Sequence, residues 1–252
     1  MADKLHKTKG IVLRAVKYGD SSLIVSVYTE LFGQQSYIVS GVRSASRSAL
    51  HKAGFFQPAA LLELVVYHNE FKNLNRIKEY RWANVYHTVL SEVVRNGVAM
   101  FMMELISKCL GEPDSNPDLF AFAEDSLLHL DTCNDSALAN FPLFFALNLC
   151  HFFGFDPQPA NESVRTHPQV IFDLQGGVFT SGSLPHPYYL EHRYALELVD
   201  LLMVRQPSEL ASVKVNAEAR RHIMDALETY YRLHLPGFGR LKTLPVLREI
   251  MR

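Results

Sequence analysis

Cysteine is scarce in this chain of 252 residues: Cys109, Cys133 and Cys150 are odd in number and no two stand at CxxC spacing. A zinc ribbon and a dithiol redox site are therefore not encoded. All three lie in apolar helical surroundings, where a free thiol behaves as a small hydrophobe. Long apolar runs are lacking as well. None approaches the roughly 18–20 residues that cross a bilayer, and the opening "MADKLHKTKG" has no apolar signal segment, so a cytoplasmic location without membrane contact is expected.

The motifs of common catalytic centres are also missing. Despite 11 histidines there is no HExxH, no histidine pair at metal spacing beside a carboxylate and no GxSxG elbow. "DLQGGVFTSG" lacks the lysine of a phosphate-binding GxxxxGK[ST] loop. One histidine option is left, in which His167 and His186 join Asp156 or Asp173 at a metal, against the plainer reading of isolated surface histidines. The expectation is a protein that is not an enzyme and holds no metal or other cofactor.

What is present is a core and an uneven charge. The 48% hydrophobic and 20% charged composition suits a globular protein with a substantial interior, and the length suits two modest domains. Net charge is only −1, yet residues 1–81 hold 12 Lys+Arg against 6 Asp+Glu, a net of +6, and residues 82–252 carry −7. An anionic partner is expected for the first part alone.

The first 82 residues read as five short strands, 10–18, 22–30, 35–42, 59–68 and 73–82, rich in Val, Ile, Leu and Tyr. Gly19 with Asp20, and Gly33, mark turns between them. Five strands with short connections and one long one match a Greek-key barrel of the OB type, although a small open sheet gives similar spacing. From residue 83 the spacing of apolar residues becomes helical. Gly111 reads as a helix stop, Asn116 before Pro117 and Asn216 read as helix starts, and "LANFPLFFALNLCHFFGFDP" is apolar on nearly every face. Residues 155–190, rich in proline and glycine, read as an irregular insertion with a hairpin near Gly176 and Gly177. The fold expected is α+β multidomain: an OB-fold barrel over 1–82 and a mostly helical domain over 83–252.

Between the third and fourth strands lies "SGVRSASRSALHKAGFFQP", which carries Arg43, Arg47, His51 and Lys52 on a serine-rich connection. Arginine forks and lysines on such a connection suit phosphate oxygens, and each neutralised phosphate releases counterions. A solvated loop kept soluble by charge is the alternative. Arg14, Lys17, Lys72, Arg76, Lys78 and Arg81 belong to the same basic region. Tyr18, Tyr28, Tyr37, Tyr67 and Tyr80 are candidates for stacking on unpaired bases, or for plain packing, and Trp82 reads as a structural wedge.

The stretches "KTKGIVLRAVKYGDSSLIVSVYTELFGQQSYIVSGVR", "FQPAALLELVVYH", "ALNLCHFFGFDP", "FDLQGGVF" and "YYRLHLPGFGRLKTLPVL" together resemble the RecO family of bacterial recombination mediators. The resemblance implies an OB-fold joined to a helical domain that binds single- and double-stranded DNA and anneals complementary strands. It implies as partners RecR, the acidic C-terminal tail of single-strand-binding protein and, indirectly, the RecA filament. DNA contact then falls on Arg43, Arg47 and Lys52, with Arg14, Lys17, Arg76 and Lys78 as further contacts. Many members carry four zinc-binding cysteines in the insertion; here "QPANESV" and "VFTSG" hold none, so zinc is not expected and Pro157, Pro159, Pro168 and Pro185 are left to restrain the segment. Two rival readings are a protein-binding adaptor without DNA contact and a metal-dependent hydrolase built on the insertion histidines.

Overall fold

Alternation of apolar and polar residues drives the amino-terminal strands of the computed structural model, which describes residues 4–42, 52–111, 113–160, 162 and 167–251. Strands β1 (Lys4–Tyr18), β2 (Ser22–Thr29), β3 (Gly33–Val39), β4 (Leu61–His68) and β5 (Asn75–Trp82) form a ring in the order β1-β2-β3-β5-β4, closed by pairing of β4 with the first half of β1. The thinnest seam is the parallel β3–β5 junction, at Tyr37–Asn75 and Ile38–Arg76. Five strands in this order are the OB architecture.

One side of every strand fills the ring. Val12, Val25, Val27, Tyr37, Val39, Leu62, Leu64 and Val66 make its interior, with Phe56 and Val42 packed among them. β1 starts six residues earlier than the sequence alone suggests, because "KLHKTK" finds a partner in β4, far away in the chain. A β-bulge between Val12 and Arg14 shifts the register of β1, and bulges strengthen the local twist that lets one strand serve two neighbours.

By packing, the chain divides into two units: residues 1–92 with 106–131, and residues 93–105 with 132–252. In the first unit, helix α2 (Pro117–Thr132) lies on the outer side of the barrel where β1 and β2 carry Ile11 and Tyr28. The Tyr28 hydroxyl donates to the Asn116 carbonyl at 3.1 Å, its ring meets Phe120, and burial raises its pKa to about 12. Helix α1 (Val93–Cys109) ends before Gly111, as the glycine suggests.

The second unit is built around helix α3 (Asp135–Leu149), capped by Asn134, whose side chain accepts from the Ala137 N–H. Contrary to the expectation that no apolar run approaches bilayer length, α3 and the 3-10 turn after it join into an apolar segment, 135–153, long enough by composition to span one. It is 67% buried within the protein, as a core helix is. Around it pack α4 (His192–Leu202), α5 (Ala217–His234) and α6 (Thr243–Ile250). Tyr230 and Tyr231 on α5 donate to the carbonyls of Phe155 and Ala146, each at 2.7 Å. The hairpin near Gly176 and Gly177 is β6 (Val170–Asp173) with β7 (Val178–Ser181), and a third strand, β8 (Tyr189–Leu190), pairs with β6.

Candidate nucleic-acid interface

Strand register decides which side chains share the outside of the barrel. Arg14 lies opposite Ser26, and Ser26 opposite Ser36; the next row runs Val16, Ile24, Ile38, Arg76 and Tyr67 across β1, β2, β3, β5 and β4. Side chains in one row all point out of the barrel, so Arg14, Arg76, Tyr67 and, at the hairpin, Tyr18 lie on its solvent-facing outside, with Arg76 and Tyr67 on neighbouring strands. Helix α2 covers another part of that outside, at Tyr28.

Arg14 and Arg76 are exposed and form no ion pair with a carboxylate among the described residues. A shallow groove of about 620 Å³ runs beside Arg76, lined by Tyr67, Lys72, Leu74 and Asn75. Lys17 falls in the row of Leu23 and Val39, which face the interior, and emerges at the rim. Lys78 lies at the irregularity in the β4–β5 pairing and sits 3.6 Å from the carboxylate of Glu79. Lys52 belongs to no strand. It begins a helical turn, 52–54, followed by Phe55 and Phe56, which pack on Tyr80 and Trp82. Arg43, Arg47 and His51 lie outside the described residues.

Other cations of the basic region are engaged. Arg81 pairs with Glu63 across β5 and β4, and Lys9 reaches Glu124 of α2 at 2.8 Å. The segment 106–131 brings six carboxylates and one lysine into the first unit, so Lys+Arg and Asp+Glu stand at 13 each over residues 1–92 and 106–131. The excess of positive charge counted over residues 1–81 is thus not a property of the whole unit.

The tyrosines divide in the same way. Tyr18 and Tyr67 are exposed, whereas Tyr28 and Tyr37 are wholly buried and offer no ring to a base, and Tyr80 is half-buried against Phe55 and Phe56. Trp82 is stacked on Phe55. One aromatic residue escapes sequence reading: Phe71, in the β4–β5 loop, is 80% exposed.

In the second unit, Pro142, Leu143, Met224, Leu244 and Leu247 floor a groove of about 200 Å³ rimmed by Arg220, Arg221 and Arg248. Arg248 pairs with Asp225, and Arg221 is exposed. Of the insertion residues, His186 lies 3.5 Å from Asp173, while Asp156 pairs instead with His151. No three His, Cys, Asp or Glu side chains converge among the described residues.

Two family models match the chain, "Recombination protein O N terminal" over residues 1–86 and "Recombination protein O C terminal" over residues 90–245. Among curated proteins, the DNA repair protein RecO of Bacteroides fragilis is 35% identical over 98% of this chain and 99% of its own length. Those of Phocaeicola vulgatus and Christiangramia forsetii are 34% and 32% identical, over 98% and 96% of this chain and 99% and 98% of their own lengths. With the OB-type barrel in place and both models covering it and the helical region, the chain belongs to the RecO family of DNA repair and recombination proteins.

Proposed function

We propose that the protein is a non-enzymatic mediator that binds single- and double-stranded DNA through residues 1–82, anneals complementary strands and, with RecR, helps load RecA on DNA coated with single-strand-binding protein. A cytoplasmic, nucleoid-associated location follows from that role. The observation that carries the reading is the open outside of the barrel, where Arg14 and Arg76 are exposed without a carboxylate partner among the described residues and Tyr18 and Tyr67 are exposed as well. Unpaired cations attract a phosphate backbone by releasing its condensed counterions. Arg43, Arg47 and Lys52 extend the interface beyond β3, and Lys17 adds to it at the rim. Lys78 ranks last, since Glu79 already shares its charge.

The acidic tail of single-strand-binding protein, which ends in an aromatic residue and a carboxylate, fits the groove on Met224, Leu244 and Leu247, with Arg220 and Arg221 at its rim. This support is chemical, an apolar floor with cations beside it.

Affinity for an oligonucleotide, measured by anisotropy over a series of salt concentrations, tests the DNA reading. Replacing Arg43, Arg47 and Lys52 together by alanine is expected to make the log–log salt slope shallower by about 2, at ~0.7 for each single-strand phosphate that is no longer neutralised. Replacing Arg14 and Arg76 is expected to lower it by about 1.4. Slopes unchanged in both variants would reject the assignment.

A further inference from the structure

We infer that Phe71 is a base-stacking element by which the barrel tells unpaired DNA from duplex, an inference that rests on the DNA-binding reading and deepens it. A phenylalanine ring left 80% in water is costly to maintain, and Phe71 is the most exposed large hydrophobic residue described. Its loop, 69–74, is not loosely tethered. The Asn69 side-chain oxygen accepts from the Phe71 N–H at 3.0 Å, and the Asn69 carbonyl accepts from the Lys72 N–H at 3.0 Å. From below, Asn75, itself only 4% exposed, accepts from the Asn69 N–H at 3.2 Å and donates to the Lys72 carbonyl at 3.4 Å. Two asparagines thus hold the tip in one shape while the ring projects outward.

The loop connects β4 and β5, the strands that carry Tyr67 and Arg76. Tyr67 on β4 and Arg76 on β5 are register partners, and both line the groove with Lys72 and Leu74. Glu70, the carboxylate in the loop, lines a different pocket together with His68, Gln34 and Asp114. Phe71 itself stands next in the chain to Lys72, a lining residue of that groove, so a strand whose phosphate sits at Arg76 runs toward the loop that carries the ring. Only an unpaired nucleotide can stack on it, because in a duplex each base face is covered by its neighbour. A fixed tip also limits the ordering cost of binding.

Equilibrium binding of the full chain to an oligo-dT strand and to a hairpin duplex of matched charge tests the inference. Phe71→Ala is expected to weaken single-strand affinity about 5- to 150-fold, the range of a single base–aromatic stack, with the salt slope unchanged and duplex affinity altered by less than about 2-fold. Phe71→Trp is expected to restore affinity and to show fluorescence quenching on oligo-dT beyond that of the parent chain, whose Trp82 is already stacked on Phe55. Equal single-strand affinity for Phe71→Ala and the parent, or an equal weakening on both DNA forms, would overturn the stacking role while leaving the phosphate-binding role of the arginines standing. Failure of the parent chain to bind DNA at low salt would overturn both.

Discussion

Asp131 shows how one residue can hold a segment that no motif announces. Its carboxylate accepts from the backbone N–H groups of His87, Thr88 and Val89 at 2.8–3.0 Å and from the Thr88 hydroxyl at 2.9 Å. Burial pushes the pKa of this group up, but the donors outweigh burial and hold it below the ordinary carboxylate range. A depressed folded-state value means that the stabilisation is complete above the unfolded pKa, near 3.9, and is lost as pH falls through the folded value. Asp131→Ala is expected to lower the unfolding free energy at pH 7 by about 2–4 kcal/mol in urea titrations, and the gap from the parent is expected to shrink as pH drops below about 4. Nothing local marked Asp131, because its partners lie more than forty positions earlier. The stacking tyrosines were ambiguous for a similar reason. Tyr18 and Tyr28 look alike in sequence, and only the cover supplied by α2 separates them.

At the scale of elements, local chemistry made the five strands, the apolar helix within 138–157, though not its start at Asn134, and the Gly176–Gly177 hairpin readable, since alternation, caps and turn residues act over a few positions. The extension of β1 back to Lys4 and the helix α6 were not. The latter is short, and its start is held by Glu104, whose carboxylate accepts from the N–H groups of Lys242 and Thr243 and from the Thr243 hydroxyl. Gly33 combines both kinds of signal. Its φ of +61° is the turn conformation the sequence suggests, but a Cβ there would also lie 2.2 Å from the Asp114 carbonyl oxygen. A left-handed conformation alone costs a non-glycine residue about 1–2 kcal/mol. Gly33→Ala is expected to exceed that cost by thermal or urea unfolding, whereas Gly19→Ala, with the same sign of φ and open space around it, is expected to stay within it.

Across the whole molecule, charge counted along the chain draws too broad an outline. The basic amino-terminal stretch was visible by counting, but the carboxylates of 106–131 that offset it lie beyond the helix at Val93–Cys109, and Lys9 and Arg81 are taken up by Glu124 and Glu63. The groove on the second unit was invisible in sequence because its walls come from residues near 142, 221 and 247. An acidic peptide ending in phenylalanine is expected to bind there with an affinity that falls with salt, and Arg221→Glu is expected to weaken it about 10-fold in anisotropy titrations without altering the DNA salt slope. The first unit takes its chain from both sides of residues 93–105. Consequently no single uninterrupted piece reproduces it: a polypeptide stopping at residue 92 parts Lys9 from Glu124, Tyr28 from its acceptor at Asn116, and the 87–89 turn from Asp131. During synthesis the barrel strands leave the ribosome well before the residues that complete their outer cover, so this half of the protein reaches its finished form only after the chain has already passed into the other half and returned.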